Sequence, residues 1–126
     1  MRALVLHQRF DPGSPEVAEF FDALSSDPLY VRMCRRQRCF RARVSPKPWR
    51  IGIPGHMKPR PGVWPVNPAR KAVRDRWIAA YDSASKGHAS CRYVETLGQG
   101  AEDPAAEAVR VLHDDLGRAL SSLPLA

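Results

Sequence analysis

Seven of the twelve prolines fall between residues 45 and 68, at positions 46, 48, 54, 59, 61, 65 and 68. Each lacks a backbone N–H and fixes its own φ, so no helix can pass through this stretch and no central strand can include it. A short edge strand, at Arg50–Ile53 or Gly62–Val66, is the most regular structure that the segment admits. Otherwise it is a long, extended, partly polyproline-II loop. Loops of this length inside a small domain are functional or disordered. Trp49 and Trp64 argue for order, because large aromatics tie a loop down.

Regular structure is therefore expected on either side. Asp11-Pro12-Gly13 is a turn, followed by Ser14 as helix cap and Pro15 at the first helical position. Val17, Phe20, Phe21 and Leu24 follow at i, i+3, i+4 and i+7, predicting a helix over about 15–25 with those residues inward. Asp27-Pro28 starts a second helix, about 28–37, with Leu29, Met33 and Tyr30 inward. Asn67-Pro68 opens a third, about 68–85, with Val73, Trp77, Ala80 and Ala84 in its apolar stripe and Tyr81 alongside. Asp103-Pro104 opens the last, about 104–122, with Val109, Leu112, Leu116, Ala119 and Leu123 inward.

Between these lie strand patterns. Arg38–Val44 (RCFRARV) alternates, with Phe40, Ala42 and Val44 on one side and Cys39, Arg41 and Arg43 on the other. Arg2–Gln8 and Cys91–Leu97 also read as strands. The expected order is β-α-α-β-(β)-α-β-α. It describes an α+β protein of ferredoxin-like βαββαβ type: a small antiparallel or mixed sheet with helices on one face, a long Pro-rich loop and an added C-terminal helix. The 126 residues are taken as a single domain. The Arg41/Arg43 face would lie on the open side of the sheet.

Charge is concentrated rather than dispersed. Residues 32–76 carry fourteen Lys or Arg against one acid, whereas residues 1–31 and 101–126 each carry two Arg against five acids. A single-sign field of this kind attracts polyanions, and arginine suits phosphate and planar bases. The candidate contacts are Arg35, Arg36, Arg38, Arg41, Arg43, Lys47, Arg50, Lys58, Arg60, Arg70 and Arg74. Trp49 and Trp64, with Tyr93 behind them, are the candidate stacking platforms. The expected partner is RNA or single-stranded nucleic acid, or another polyanion. The strand RCFRARV lacks the glycine and second aromatic of the usual RNA-recognition motif.

Other chemistries have weaker support. Cys34, Cys39, His88 and Cys91 form two pairs at spacings unlike those of common zinc sites, so no metal or other cofactor is assigned; the cysteines read as small buried hydrophobes. His56, in a loop flanked by basic residues, is the one histidine placed to serve as an acid or base near a phosphate. Asp114 and Asp115 beside His113 read as a solvated helix face. Nucleotide-binding and hydrolase motifs are missing. The chain is therefore read as a binding protein rather than an enzyme. The alternatives are a small enzyme acting on a phosphorylated or anionic substrate, or an oligomeric interaction subunit in which acidic helices meet the basic segment of another copy. With no long apolar run and no signal-peptide pattern, the expected location is cytoplasmic, away from the membrane.

Overall fold

The computed structural model describes residues 3–57, 65, 67–98, 100 and 102–126. Among these are four α-helices, α1 (Pro15–Ala23), α2 (Pro28–Gln37), α3 (Pro68–Ser85) and α4 (Pro104–Gly117), and a single 3-10 turn at Pro48–Arg50. Every one begins on a proline. At that position the missing N–H costs nothing and the fixed φ is already helical. The residue before each α-helical proline supplies a cap. Ser14 accepts from the Val17 N–H, Asp27 from Leu29 and Tyr30, Asn67 from Ala69, and Asp103 from Ala105 and Ala106.

The chain divides into two compact units, Met1–Ala42 with Thr96–Leu112, and Arg43–Glu95 with His113–Ala126. The division passes through α4.

In the first unit Val17 and Phe21 of α1 pack on Cys34 of α2, with Phe10, Tyr30 and Val31 around them. Phe21 meets Tyr30 and Phe40 edge-on, at centroid distances of 5.9 and 6.3 Å. Burial, with a hydrogen bond to the Cys34 thiol second, pushes the Tyr30 phenol above the ordinary value of 10.0. Asp103 ties the N-terminal segment to α4. Its N–H donates to the Leu6 carbonyl at 2.7 Å, and its carboxylate lies 3.6 Å from Arg9.

The second unit is built on the end of α3. Arg118 donates through Nη1 to the carbonyls of Ser85, Lys86 and His88 at 2.7, 2.8 and 3.0 Å, satisfying groups that a helix end leaves open. The C-terminal residues then run beside 88–93. Ala89 donates to the Pro124 carbonyl and receives the Ala126 N–H, while Tyr93 donates to Ala119 and Arg92 to Leu123. Ala89, Ala119 and Ala126 are buried in this contact. Gly117 permits it: a Cβ there would stand 2.7 Å from the Cys91 sulfur.

The expected ferredoxin-like sandwich is not formed. The described residues hold no sheet, only one isolated parallel bridge between Ala89 and Leu125. The α+β assignment is thereby corrected to a mostly helical one. The physical reason lies in where the backbone donors go. Arg38 takes a left-handed φ of 47° that closes α2, and the chain after it uses Phe40 to cover Phe21 rather than to face a neighbouring strand. Within the expected strand 91–97, Arg92 and Tyr93 bond to Leu123 and Ala119 singly, not as a ladder. Arg50–Ile53 curls back, with the Ile53 N–H donating to the Pro48 carbonyl. Apart from Pro65, the Gly62–Val66 alternative lies outside the described residues.

Several expected core positions are also corrected. Phe20, Leu24, Leu29, Met33 and Val73 are exposed, and so are Val109, Leu112 and Leu116. The last helix stops at Gly117, because Arg118 takes φ 53° and the chain turns. Among the described residues no helix is long and apolar enough to cross a membrane.

Arg118 allows a test of this arrangement. Arg118→Ala removes three charge-assisted hydrogen bonds and should lower stability by about 2 kcal/mol. Arg118→Gly removes the same bonds but relaxes the left-handed backbone, and should lose up to about 1 kcal/mol less. Urea unfolding of both variants checks the order; equal losses would contradict the strained-clamp account.

Candidate functional site

The described part of the proline-rich segment is a tight structure, not an open excursion. Lys47 and Pro48 accept from Arg50 and Ile51, closing the Pro48–Arg50 turn. Gly52 and Gly55 both take positive φ, 78° and 75°, a conformation that glycine adopts at little cost. These two bends return the chain so that the His56 ring meets the Trp49 ring edge-on, 5.3 Å between centroids. The Lys47 ammonium stands 5.6 Å from the Trp49 centroid.

Helix α3 holds this loop. The Tyr81 phenol donates to the Pro46 carbonyl at 2.6 Å. Tyr81 also stacks on Trp77, one turn earlier, with rings 6° from parallel and centroids 5.1 Å apart. Together with Arg43, Ser45, Pro46, Pro48, His56 and Met57, the stacked pair lines an open depression of about 250 Å³. Its floor is aromatic and prolyl; besides the Trp77 indole N–H and the Tyr81 phenol, its polar side-chain groups are the Arg43 guanidinium, the His56 imidazole and the Ser45 hydroxyl. Among the described residues no carboxylate or thiol lines it.

Helical spacing extends this surface. Residues 70, 74, 77 and 81 recur at intervals of four, three and four, so Arg70 and Arg74 continue the Trp77/Tyr81 face toward the start of α3. Neither forms an ion pair with a carboxylate among the described residues. Lys71 does, with Asp75 at 2.5 Å, on the neighbouring face.

The candidate residues read from sequence are thus distributed unequally. Arg43, Lys47, Trp49, Arg50, Arg70 and Arg74 belong to the second unit, with His56. Arg35, Arg36, Arg38 and Arg41 belong to the first unit. Arg38 is engaged there, donating to the Asp11 carboxylate at 2.7 Å. Lys58, Arg60 and Trp64 lie outside the described residues. Trp49 is 51% exposed. Tyr93 is exposed too, its backbone N–H bound to the C-terminal tail.

Cys34 is core in the first unit, where Cys39 also lies. His88 and Cys91 are in the second, where His88 Nδ1 lies 3.1 Å from the Ala84 carbonyl. No three metal-binding side chains converge among the described residues. The reading of Asp114 and Asp115 as a solvated face is corrected for Asp114, which is half-buried against His113, whereas Asp115 is exposed. His113 is 7% exposed, and its Nδ1 lies 3.0 Å from the Asp114 carboxylate.

Sequence reasoning missed the part played by Trp77 and Tyr81 in the depression. Their i, i+4 spacing in register with Arg70 and Arg74 is the signal that could have revealed it. No known protein family, curated protein or solved structure matches the chain.

The Tyr81–Pro46 bond should be measurable on its own. Tyr81→Phe keeps the ring stack and removes the hydroxyl, so a loss of about 1 kcal/mol in urea unfolding is expected. Unchanged stability would mean that the loop does not depend on this bond.

Proposed function

We propose that the chain binds a polyanion, RNA or single-stranded nucleic acid, on the surface of its second unit. In this reading Lys47, Arg50, Arg70 and Arg74 follow the phosphates, and Trp49 stacks on a base. The depression beside Trp77 and Tyr81, edged by Arg43 and His56, accepts a neighbouring nucleotide. The observation that carries the proposal is the setting of Trp49. Its ring is half exposed, next to an ammonium and an imidazole, where a tryptophan serving only as a core peg would be covered. Cations tracking a backbone beside an exposed ring are the elements of sequence-tolerant single-strand binding. The proposal no longer rests on an arginine-faced strand. Its cations come from a turn and one helix face.

Binding of a labelled single-stranded RNA, followed by fluorescence anisotropy across a salt series, tests this. The affinity should fall linearly on a log–log plot, with a slope of about −0.7 for each phosphate neutralised. Trp49→Ala should cost about 1–3 kcal/mol of binding, the worth of one stacked base. The double variant Arg70→Ala/Arg74→Ala should flatten the salt slope. Lack of binding at low salt, or full affinity in Trp49→Ala, would refute the proposal.

A further inference from the structure

Helix α4 lies with its faces reversed relative to its hydropathy. Val109, Leu112 and Leu116, at i, i+3 and i+7, are 64%, 57% and 51% exposed. On the other side His113 and Gly117 are buried, and Ala106, Glu107, Arg110 and Asp114 are partly buried. The inward polar groups are provided for. Arg110 forks onto the Glu107 carboxylate and holds it below its usual range, and His113 meets Asp114. The helix can therefore keep its polar side inward, which leaves a stripe of three large aliphatic side chains facing solvent. Asp115 stands beside this stripe, three residues on from Leu112, and is exposed with no cation paired to it among the described residues.

Helix α2 presents the opposite charge on a matching surface. It buries Cys34 and half-buries Tyr30 and Val31, so Leu29 and Met33 face outward at 58% and 37% exposure. Arg32 and Arg36 stand three residues on from each of them, both exposed, and neither pairs with a carboxylate among the described residues. One helix thus offers apolar side chains bordered by a carboxylate, the other apolar side chains bordered by two guanidinium groups.

We propose that the outward face of α4 docks on α2 of a second copy of the chain. Leu29 and Met33 cover the Leu112 stripe, and Arg32 and Arg36 border Asp115. The two surfaces differ, so the contact is head-to-tail. Each such pair keeps one unused face of each kind, so association grows with concentration unless a ring closes. Pairing of α4 with α4 would instead bring Asp115 near its own copy, with no cation on that side of the helix to offset it.

The experiment uses the full chain in light scattering and sedimentation. The wild type should show a mass above the single-chain 14.1 kDa, rising with concentration. Leu112→Asp spoils the α4 face and Leu29→Asp the α2 face, so each variant alone should run at the single-chain mass. Mixed in equal amounts, they should form a species of twice that mass, because each still carries the face that the other lacks. Far-UV circular dichroism confirms retained helix. Asp115→Arg, a surface exchange that leaves the apolar stripe intact, should weaken assembly, and Arg36→Asp on the partner copy should restore it. A wild-type chain that stays monomeric at the highest concentration overturns the proposal. So does assembly that is lost in Leu112→Asp but indifferent to Leu29→Asp, which would assign the contact to α4 against α4.

Discussion

A proline has no N–H to give, and that constraint fixes where each helical element of this protein begins. Pro15, Pro28, Pro48, Pro68 and Pro104 occupy the first positions of the five helical elements among the described residues. An Asp, Asn or Ser immediately before each of the four long ones satisfies the N–H groups that the first turn exposes. This chemistry is local: it depends on adjacent residues and on no tertiary partner. It explains how so proline-rich a chain holds long helices; of the seven other prolines, five (Pro46, Pro54, Pro59, Pro61 and Pro65) lie in the connection between α2 and α3.

What happens at the other ends of the helices depends on distant residues. Arg38 closes α2 in a left-handed conformation and reaches back to Asp11. Arg118 does both at once, turning the chain after α4 and donating to three carbonyls at the end of α3. Exposed ion pairs such as Arg38–Asp11 contribute little. A guanidinium placed on carbonyls at and just after a helix end contributes more, because its bonds are charge-assisted and reach groups that the helix leaves open.

This contrast sets what was legible in the sequence. The four helices are readable because caps and prolines sit beside the periodic residues that they serve. That no sheet forms among the described residues was not readable, because alternation in RCFRARV describes a side-chain pattern and says nothing about a partner ladder. The outward orientation of α4 was also hidden. Periodicity identifies Val109, Leu112 and Leu116 as one stripe but cannot say which side turns inward. That is decided by Gly117, whose missing Cβ lets Cys91 approach, and by the paired His113 and Asp114. For the candidate site, charge concentration pointed to residues 32–76, and the Trp49 turn lies within that segment. The floor supplied by Trp77 and Tyr81 comes from a helix some thirty residues later, brought in by one phenol-to-carbonyl bond.

Trp49 stands half in solvent beside the Lys47 ammonium. This placement can be tested directly in a chain whose single tryptophan is Trp49, with Trp64→Phe and Trp77→Phe preserving aromatic bulk. Quenching of its fluorescence by iodide and by caesium reports both exposure and the sign of the local field, since a cationic surface enriches anions around it. The account predicts that iodide quenches efficiently, caesium weakly, and that added salt narrows the difference. Blue-shifted emission resistant to both ions, or equal quenching by the two, would contradict it.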